Sequence, residues 1–481
     1  MSGSSPAPSS STVQVFVVST FYGLVTLTAA LDGGAFNAAD ERVLVVSNNA
    51  QTPETAARLQ EMHGFAALVQ RFDRVLDYND AIAPQHPSLW SPRVDELPIW
   101  ERYLRLRWHL GRADVHLVLE SIQVCPALAL CRIFPDARID VYADGLMSYG
   151  PTRVRLAPLV GGRVERLLYL DLVPGLRPLL LSEWDVPAEA VSDRAFRAVL
   201  RRVTGQVTLP CPADQPVVII IGQYLSALGV LSVDEEAELH RQMLVGIAQL
   251  GHRIVIFKPH PNAGRALADP MLAEAERLGV QVLVCSAPVL AESLFEQLRV
   301  ELVVGCFSTA LLTAARYFDL PAARSGTELL LERLQPYENS NRIPVTLVDA
   351  LLPDVADLSR PPEPRRPEQH RDTTGAAVSA QALVNTVGYA MRPSLYPKLR
   401  DEAVRYLAAH YPDQARYFKR RRLTALQLPG ALPPRLQQTR RIGRRLRSRL
   451  RRTYRGVLRA TGAGPAARTG AGTRPLRRGL P

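Results

Sequence analysis

Short apolar runs, each followed by a helix-length segment, recur along this chain, first over residues 13–143 and again over 217–317. The runs at 13–18, 43–46, 75–76, 115–119 and 139–143 are apolar at successive positions, as strands covered on both faces are. The segments between them, including 53–63 and 99–110, are long enough for helices. This alternation predicts a doubly wound parallel sheet. Over 150–216 the pattern turns irregular and rich in Pro, Gly and Arg, and then it restarts. Strands are expected at 217–221, 254–257, 282–284 and 302–304, and helices at 233–250, up to 277, at 290–297 and at 308–317. Ser232 and Glu235 have the spacing of a capping box at the start of the first of these helices. The chain therefore divides into a disordered leader (1–12), a first domain (13–205), a second domain (213–345), a linker with helices (346–418) and a tail (419–481).

With 481 residues, 47% of them apolar, the chain can fill two cores. Its five cysteines are odd in number and lack metal-ligand spacing, so they read as buried thiols in a reducing compartment. Residues 13–31 carry no charge, but Gln14, Ser19, Thr20, Gly23, Thr26 and Thr28 interrupt them and no basic segment precedes them. A strand, a loop and a helix fit better than a membrane span, and a cytoplasmic location is expected.

The net charge of +12 is unevenly placed. The tail holds 19 Arg and Lys and no acid, which leaves a net −7 on residues 1–418. Leu436, Ile442, Leu446, Leu450, Tyr454 and Leu458 recur there mostly at four-residue steps among arginines. That pattern predicts a basic amphipathic helix on an anionic membrane surface, worth up to about 1 kcal/mol per arginine. A disordered arginine-rich extension is the alternative. The acidic body offers no surface for nucleic acid, which is not expected as a partner.

Three stretches carry chemistry. Lys258-Pro259-His260-Pro261 follows a strand of the second domain, and its prolines fix the backbone so that His260 is held rigidly. An imidazolium or N–H donor there can meet the charge of a departing phosphate, with Lys258 adding a second charge; a structural histidine in a Pro-rich turn is the plainer reading. Ser308 and Thr309 follow the strand 302–304 across Gly305, where a helix N-terminus can bind phosphate or simply be capped. Asp144-Gly145 follows the strand 139–143, where a carboxylate at the sheet's carboxyl edge can take a proton from a hydroxyl or merely start a turn.

In order and separation, Ala143-Asp144-Gly145, His260-Pro261 and Ser308-Thr309 resemble the D/E-D/E-G, HP and Ser/Thr motifs of the bacterial α-2,8-polysialyltransferase family and related sialyltransferases. The first acidic position of the first motif is Ala143 here, while Asp144, directly before the glycine, is retained. The likeness runs over about residues 13–345. It implies a GT-B-like fold, two Rossmann-type domains facing a cleft, and an enzyme that moves sialic acid from CMP-sialic acid to a glycan hydroxyl with inversion. Asp144 would be the base and His260 the phosphate partner. Lys258, Pro261, Gly222, Gln223, Glu292, Ser308 and Thr309 would line the nucleotide site, with Glu292 on the ribose. Ser19, Thr20, Asn48 and Asn49 would lie on the acceptor side. The acceptor would be an anionic glycan or glycolipid, and the enzyme would sit peripherally on the inner membrane face. The chain has no D-x-D sequence, so neither a metal nor any cofactor beyond the donor is expected. Two rivals remain: a glycerophosphotransferase that uses CDP-glycerol, and a non-catalytic polyanion- or membrane-binding protein on a degenerate transferase fold.

Overall fold

A computed structural model of the chain describes residues 11–54, 56–205, 208–260, 269–360, 362 and 373–433. Pro261, most of the leader, and residues 434–481 with the expected amphipathic helix lie outside the described residues. The chain forms two compact units, Met1–Lys419 and Arg420–Pro481. Within the second unit the described structure is the helix Arg420–Leu426 and the few residues after it.

The first unit contains two parallel sheets. One is built from β1 (Thr12–Val18), β2 (Glu41–Val46), β3 (Arg74–Asp77), β4 (Asp114–Glu120), β5 (Arg138–Ala143), β6 (Val164–Tyr169) and β7 (Ala188–Ala190), in the order β3-β2-β1-β4-β5-β6-β7. The other holds β8 (Pro216–Ile221), β9 (Ile254–Lys258), β10 (Gln281–Val284), β11 (Arg299–Gly305) and β12 (Ala322–Arg324), in the order β10-β9-β8-β11-β12. Their central strands read as unbroken apolar runs because helices cover both faces: Val15, Phe16 and Val18 in β1, and Val217 to Ile220 in β8, are fully buried. Each such side chain contributes about 1.5–3 kcal/mol of burial.

Strand order reverses beside the first strand of each sheet. Chain segments leaving β1 and β4 diverge, as do those leaving β8 and β11, and crevices open at these carboxyl edges. The expected site residues cluster there because they follow strands: Ser19 and Thr20 after β1, Asn48 and Asn49 after β2, Asp144 after β5, Gly222 and Gln223 after β8, His260 after β9, and Ser308 and Thr309 after β11.

The expected capping box forms. Ser232 Oγ accepts from Glu235 N at 3.1 Å, and Glu235 Oε2 accepts from Ser232 N at 2.9 Å, at the head of the helix Val233–Gln249. The expected helix over 53–63 does not form, and only Leu59–Glu61 makes a 3-10 turn. Asn48 Nδ2 captures the Pro53 carbonyl at 3.0 Å, and the His63 amide turns away to the Pro288 carbonyl while its ring meets the Gly205 carbonyl, so both ends of the expected helix are held by other segments. The first sheet continues beyond β5. The irregular stretch 150–216 contains β6, β7 and the helix Asp193–Thr204.

The two sheets are tied together directly. Tyr22 and Thr313 share a hydroxyl–hydroxyl hydrogen bond of 2.9 Å, and Arg316 Nε donates to the Asp171 carbonyl at 3.2 Å. After β12, the helices Arg342–Leu351, Thr373–Met391 and Arg400–Gln414 lead back to the first domain. There the Tyr396 hydroxyl accepts from Thr152 N at 2.9 Å and donates to the Leu179 carbonyl at 3.0 Å. Among the described residues no helix is long and apolar enough to cross a membrane.

Candidate active site

The carboxyl edge of the first sheet encloses a cavity of about 250 Å³ whose lining includes Ser19, Asn49, Glu120, Tyr142, Asp144 and Arg153. Asp144 enters it from the end of β5, and Glu120 from the end of the neighbouring β4. Thr20 joins them. It caps the helix Phe21–Asp32 by accepting from Gly23 N at 2.9 Å, and its hydroxyl lies 2.9 Å from Asp144 Oδ2 and 3.5 Å from Glu120 Oε1. Ser19 donates to Glu120 Oε2 through both its amide (2.7 Å) and its hydroxyl (2.8 Å).

Burial raises the Asp144 carboxyl above its usual range. Burial, and then the charge of Asp144, push Glu120 up to about 8. Gly23 makes this closeness possible, since a Cβ there would stand 2.8 Å from Thr20 Oγ1 and 3.4 Å from Asp144 Oδ2.

Arg153 enters the same cavity and is partly buried. Its backbone amide donates to Gln123 Oε1, and its guanidinium reaches Met147 Sδ at 3.7 Å. Loss of hydration lowers its pKa, and no carboxylate counters that effect.

The second sheet presents its own set. Ser308 caps the helix Thr309–Tyr317, accepting from Ala310 N at 3.3 Å. Thr309 reaches across to the first domain, where its Oγ1 accepts from Leu146 N at 3.4 Å beside Gly145. Gly222 packs against Phe257, where a Cβ would stand 2.8 Å from the ring, and its amide donates to the Lys258 carbonyl at 3.0 Å. Gln223 Oε1 accepts from Phe307 N at 3.0 Å and so ties the loop after β8 to the loop after β11.

Lys258 is buried and donates to the Ala287 carbonyl at 3.0 Å; burial lowers its pKa, while Cys285 and then Glu292 oppose that effect. Burial pushes the Glu292 carboxyl up to about 7. The His260 ring lies 4.1 Å from the Tyr224 ring, and burial followed by the charge of Lys258 brings its pKa down to about 4. His260 is therefore a neutral imidazole at neutral pH, an N–H donor rather than an imidazolium.

Thus the structure brings Ser19, Asn49 and Asp144 together at one cavity, places the Thr20 hydroxyl on Asp144, and sets Thr309 against the loop that carries Asp144. Asn48 is committed to its own loop: its Nδ2 donates to Pro53 O, and its Oδ1 accepts from Ala50 N at 3.1 Å. Three residues were not picked out from sequence: Glu120, Arg153 and Tyr22. Glu120 had a readable signal, an acid that closes an apolar strand beside the point where strand order reverses. Tyr22 bridges the domains, and burial, then the charge of Glu292, keeps its phenol far above neutrality.

Among the described residues one trio, His116, Asp140 and Glu165, is close enough to share a metal ion. Arg166 already donates to Asp140 Oδ2 at 3.0 and 2.8 Å, so that carboxylate has its cation.

Two parallel α/β domains, with a carboxylate at the carboxyl edge of one and a helix N-terminus at that of the other, make a GT-B architecture. The alpha-2,8-polysialyltransferase family model matches residues 14–327. The chain belongs to the α-2,8-polysialyltransferase family. No curated protein matches it. Among solved structures it is similar to the GT-B domain of a sialyltransferase from Photobacterium damselae, with 12% identity and a TM-score of 0.35, covering 70% of this chain and 96% of that one. It is also similar to a putative UDP-N-acetylglucosamine 2-epimerase from Listeria monocytogenes, with 10% identity, a TM-score of 0.40, and 79% and 97% coverage. A third is MurG from Acinetobacter baumannii, at 9% identity, a TM-score of 0.37, and 81% and 98% coverage. Nothing about this chain's chemistry follows from likenesses so distant.

Proposed function

We propose that this glycosyltransferase moves sialic acid from CMP-sialic acid to a hydroxyl of an acidic glycan, with inversion and without a metal or further cofactor. The observation that carries the reading is the closeness of Thr309, on the phosphate-binding type of helix N-terminus, to Gly145, the neighbour of Asp144. A base and a leaving-group site separated by one residue's width suit a direct displacement. Asp144 takes the proton of the acceptor hydroxyl as its oxygen bonds to the anomeric carbon. The bond to the CMP phosphate breaks, and the charge left on that phosphate is met by the N–H groups at Ser308 and Thr309, by His260 and by Lys258. Glu292 takes the ribose hydroxyls.

Arg153, a cation in the cavity of Asp144 with no carboxylate partner among the described residues, favours an acceptor that brings a carboxylate. The lack of any D-x-D sequence supports metal independence. The 19 basic residues of the tail support peripheral binding to the cytoplasmic face of a membrane.

The test is CMP release by the full chain from CMP-sialic acid, or from CDP-glycerol, with an oligosialic acid acceptor. Release from CMP-sialic acid that D144A and H260A abolish is expected. Release from CDP-glycerol alone would place the enzyme with the glycerophosphotransferases. Release from neither, with membrane or polyanion binding that both variants retain, would make the chain a binding protein.

A further inference from the structure

We propose that Glu120 is a positioning residue for the transfer, joined to Asp144 through the Thr20 hydroxyl and supplying the second carboxylate that Ala143 leaves out of the sequence motif. This rests on the reading of Asp144 as the base. β4 and β5 are neighbours, with Glu120 paired to Tyr142, so the end of one strand meets the loop leaving the other. A carboxylate missing from one strand can thus be restored from the strand beside it.

The hydrogen bonds say how the pair works. Ser19 fixes Glu120 Oε2 with two donors, which leaves Oε1 facing Thr20 at 3.5 Å, with Asp144 Oδ2 beyond at 2.9 Å. The Thr20 hydroxyl has one proton and can donate to only one of these carboxyls. Two carboxyls that share one hydroxyl in a half-buried site do not both ionise at neutral pH. A single extra proton resolves both constraints: Glu120 Oε1–H donates to Thr20 Oγ1, whose own proton donates to Asp144 Oδ2. The negative charge then rests on Asp144, oriented into the cavity, and Glu120 stays neutral. The value of about 8 for Glu120 agrees.

The other titratable groups facing the pair are the phenols of Tyr142 and Tyr22, both held un-ionised by burial, with Glu292 beyond Tyr22. Cys125 and Arg153 also line the cavity, the thiol raised and the guanidinium lowered by burial. Loss of the shared proton places a second negative charge beside the base. It also repels an acidic acceptor.

The experiment is the pH profile of kcat/KM between 5.5 and 9.5, read by CMP release from CMP-sialic acid with an oligosialic acid acceptor. Wild type, E120Q, E120A and D144N are compared as full chains. The wild-type profile is expected to fall above about pH 8. E120Q, which cannot gain the second charge, is expected to lose that limb while running about threefold slower at pH 7, and E120A to run about tenfold slower. An E120Q profile that superimposes on wild type after scaling would reduce Glu120 to a structural residue and overturn the proposal. D144N turning over at the wild-type rate would instead remove Asp144 as the base, whatever the limb does. A second readout needs no substitution at Glu120: carbon-13 NMR of glutamate carboxyls in wild type and D144N. One resonance titrating near pH 8 should move to lower pH in D144N, and the absence of any such shift would equally overturn the pairing.

Discussion

Thr309 Oγ1 lies 2.7 Å from where a Cβ on Gly145 would stand. The residue after the candidate base thus has no side chain because a hydroxyl from the other domain occupies that space. The backbone of Gly145 is extended (φ −169°), so packing rather than conformational freedom requires glycine here. G145A is expected to wedge the two loops apart, destabilising the fold by about 1–3 kcal/mol and lowering kcat. The paired variant G145A/T309A removes the obstructing atom, so its loss of stability should be smaller than the sum of the two single losses by a coupling on the order of 1 kcal/mol. Additive losses in a thermal-melt cycle would show that the contact transmits nothing.

Replacing Asp144 by asparagine keeps the shape of the cavity and removes the proton acceptor. Transfer should fall by about 10²- to 10⁴-fold. CMP binding measured by calorimetry should be unchanged, because the residues proposed to hold the nucleotide sit on the second sheet. Weakened CMP binding in D144N would place this carboxylate with the donor instead.

His260 links the site to acid stability. Its folded value of about 4 lies below the ordinary imidazole value of 6.5, so between these limits the unfolded chain binds a proton that the native chain does not. The stability tied to neutral His260 is therefore complete above pH 6.5 and is lost as pH falls toward 4. H260Q should flatten the urea-unfolding free energy over this window relative to wild type. An unchanged slope would show that His260 titrates normally in the fold.

The sequence showed where nine of the strands end, and with them the loops after β1, β2, β5, β8, β9 and β11, because apolar runs buried on both faces stop abruptly at polar residues. It did not show lateral neighbours. Glu120 and Asp144 are 24 positions apart and meet only because β4 lies beside β5, an adjacency set by strand order. The helix expected over 53–63 failed for a similar reason: Asn48 and two carbonyls from distant segments claim its backbone and its ends. β6 and β7 escaped notice because their runs are short and carry charge, with Glu165, Arg166 and Glu189 at exposed or edge positions.

Arg153 gives the test of acceptor charge. Its guanidinium loses water in the cavity without a carboxylate among the described residues to compensate, so an incoming carboxylate gains a charge-assisted hydrogen bond worth about 1.5–3 kcal/mol. R153A should therefore raise KM for an oligosialic acid acceptor by about 10- to 150-fold, the same energy expressed as a ratio. Hydrolysis of CMP-sialic acid in the absence of acceptor should not change, because the residues proposed to hold the donor lie on the other sheet. R153K keeps the charge but loses the planar fork, and should recover part of the affinity. Raising salt from 50 to 500 mM should weaken acceptor binding in wild type more than in R153A, since screening acts on the charge that the variant lacks. If KM for the acidic acceptor is the same in R153A and wild type, the cavity selects its acceptor by shape, and Arg153 serves only the packing around Met147 and Gln123.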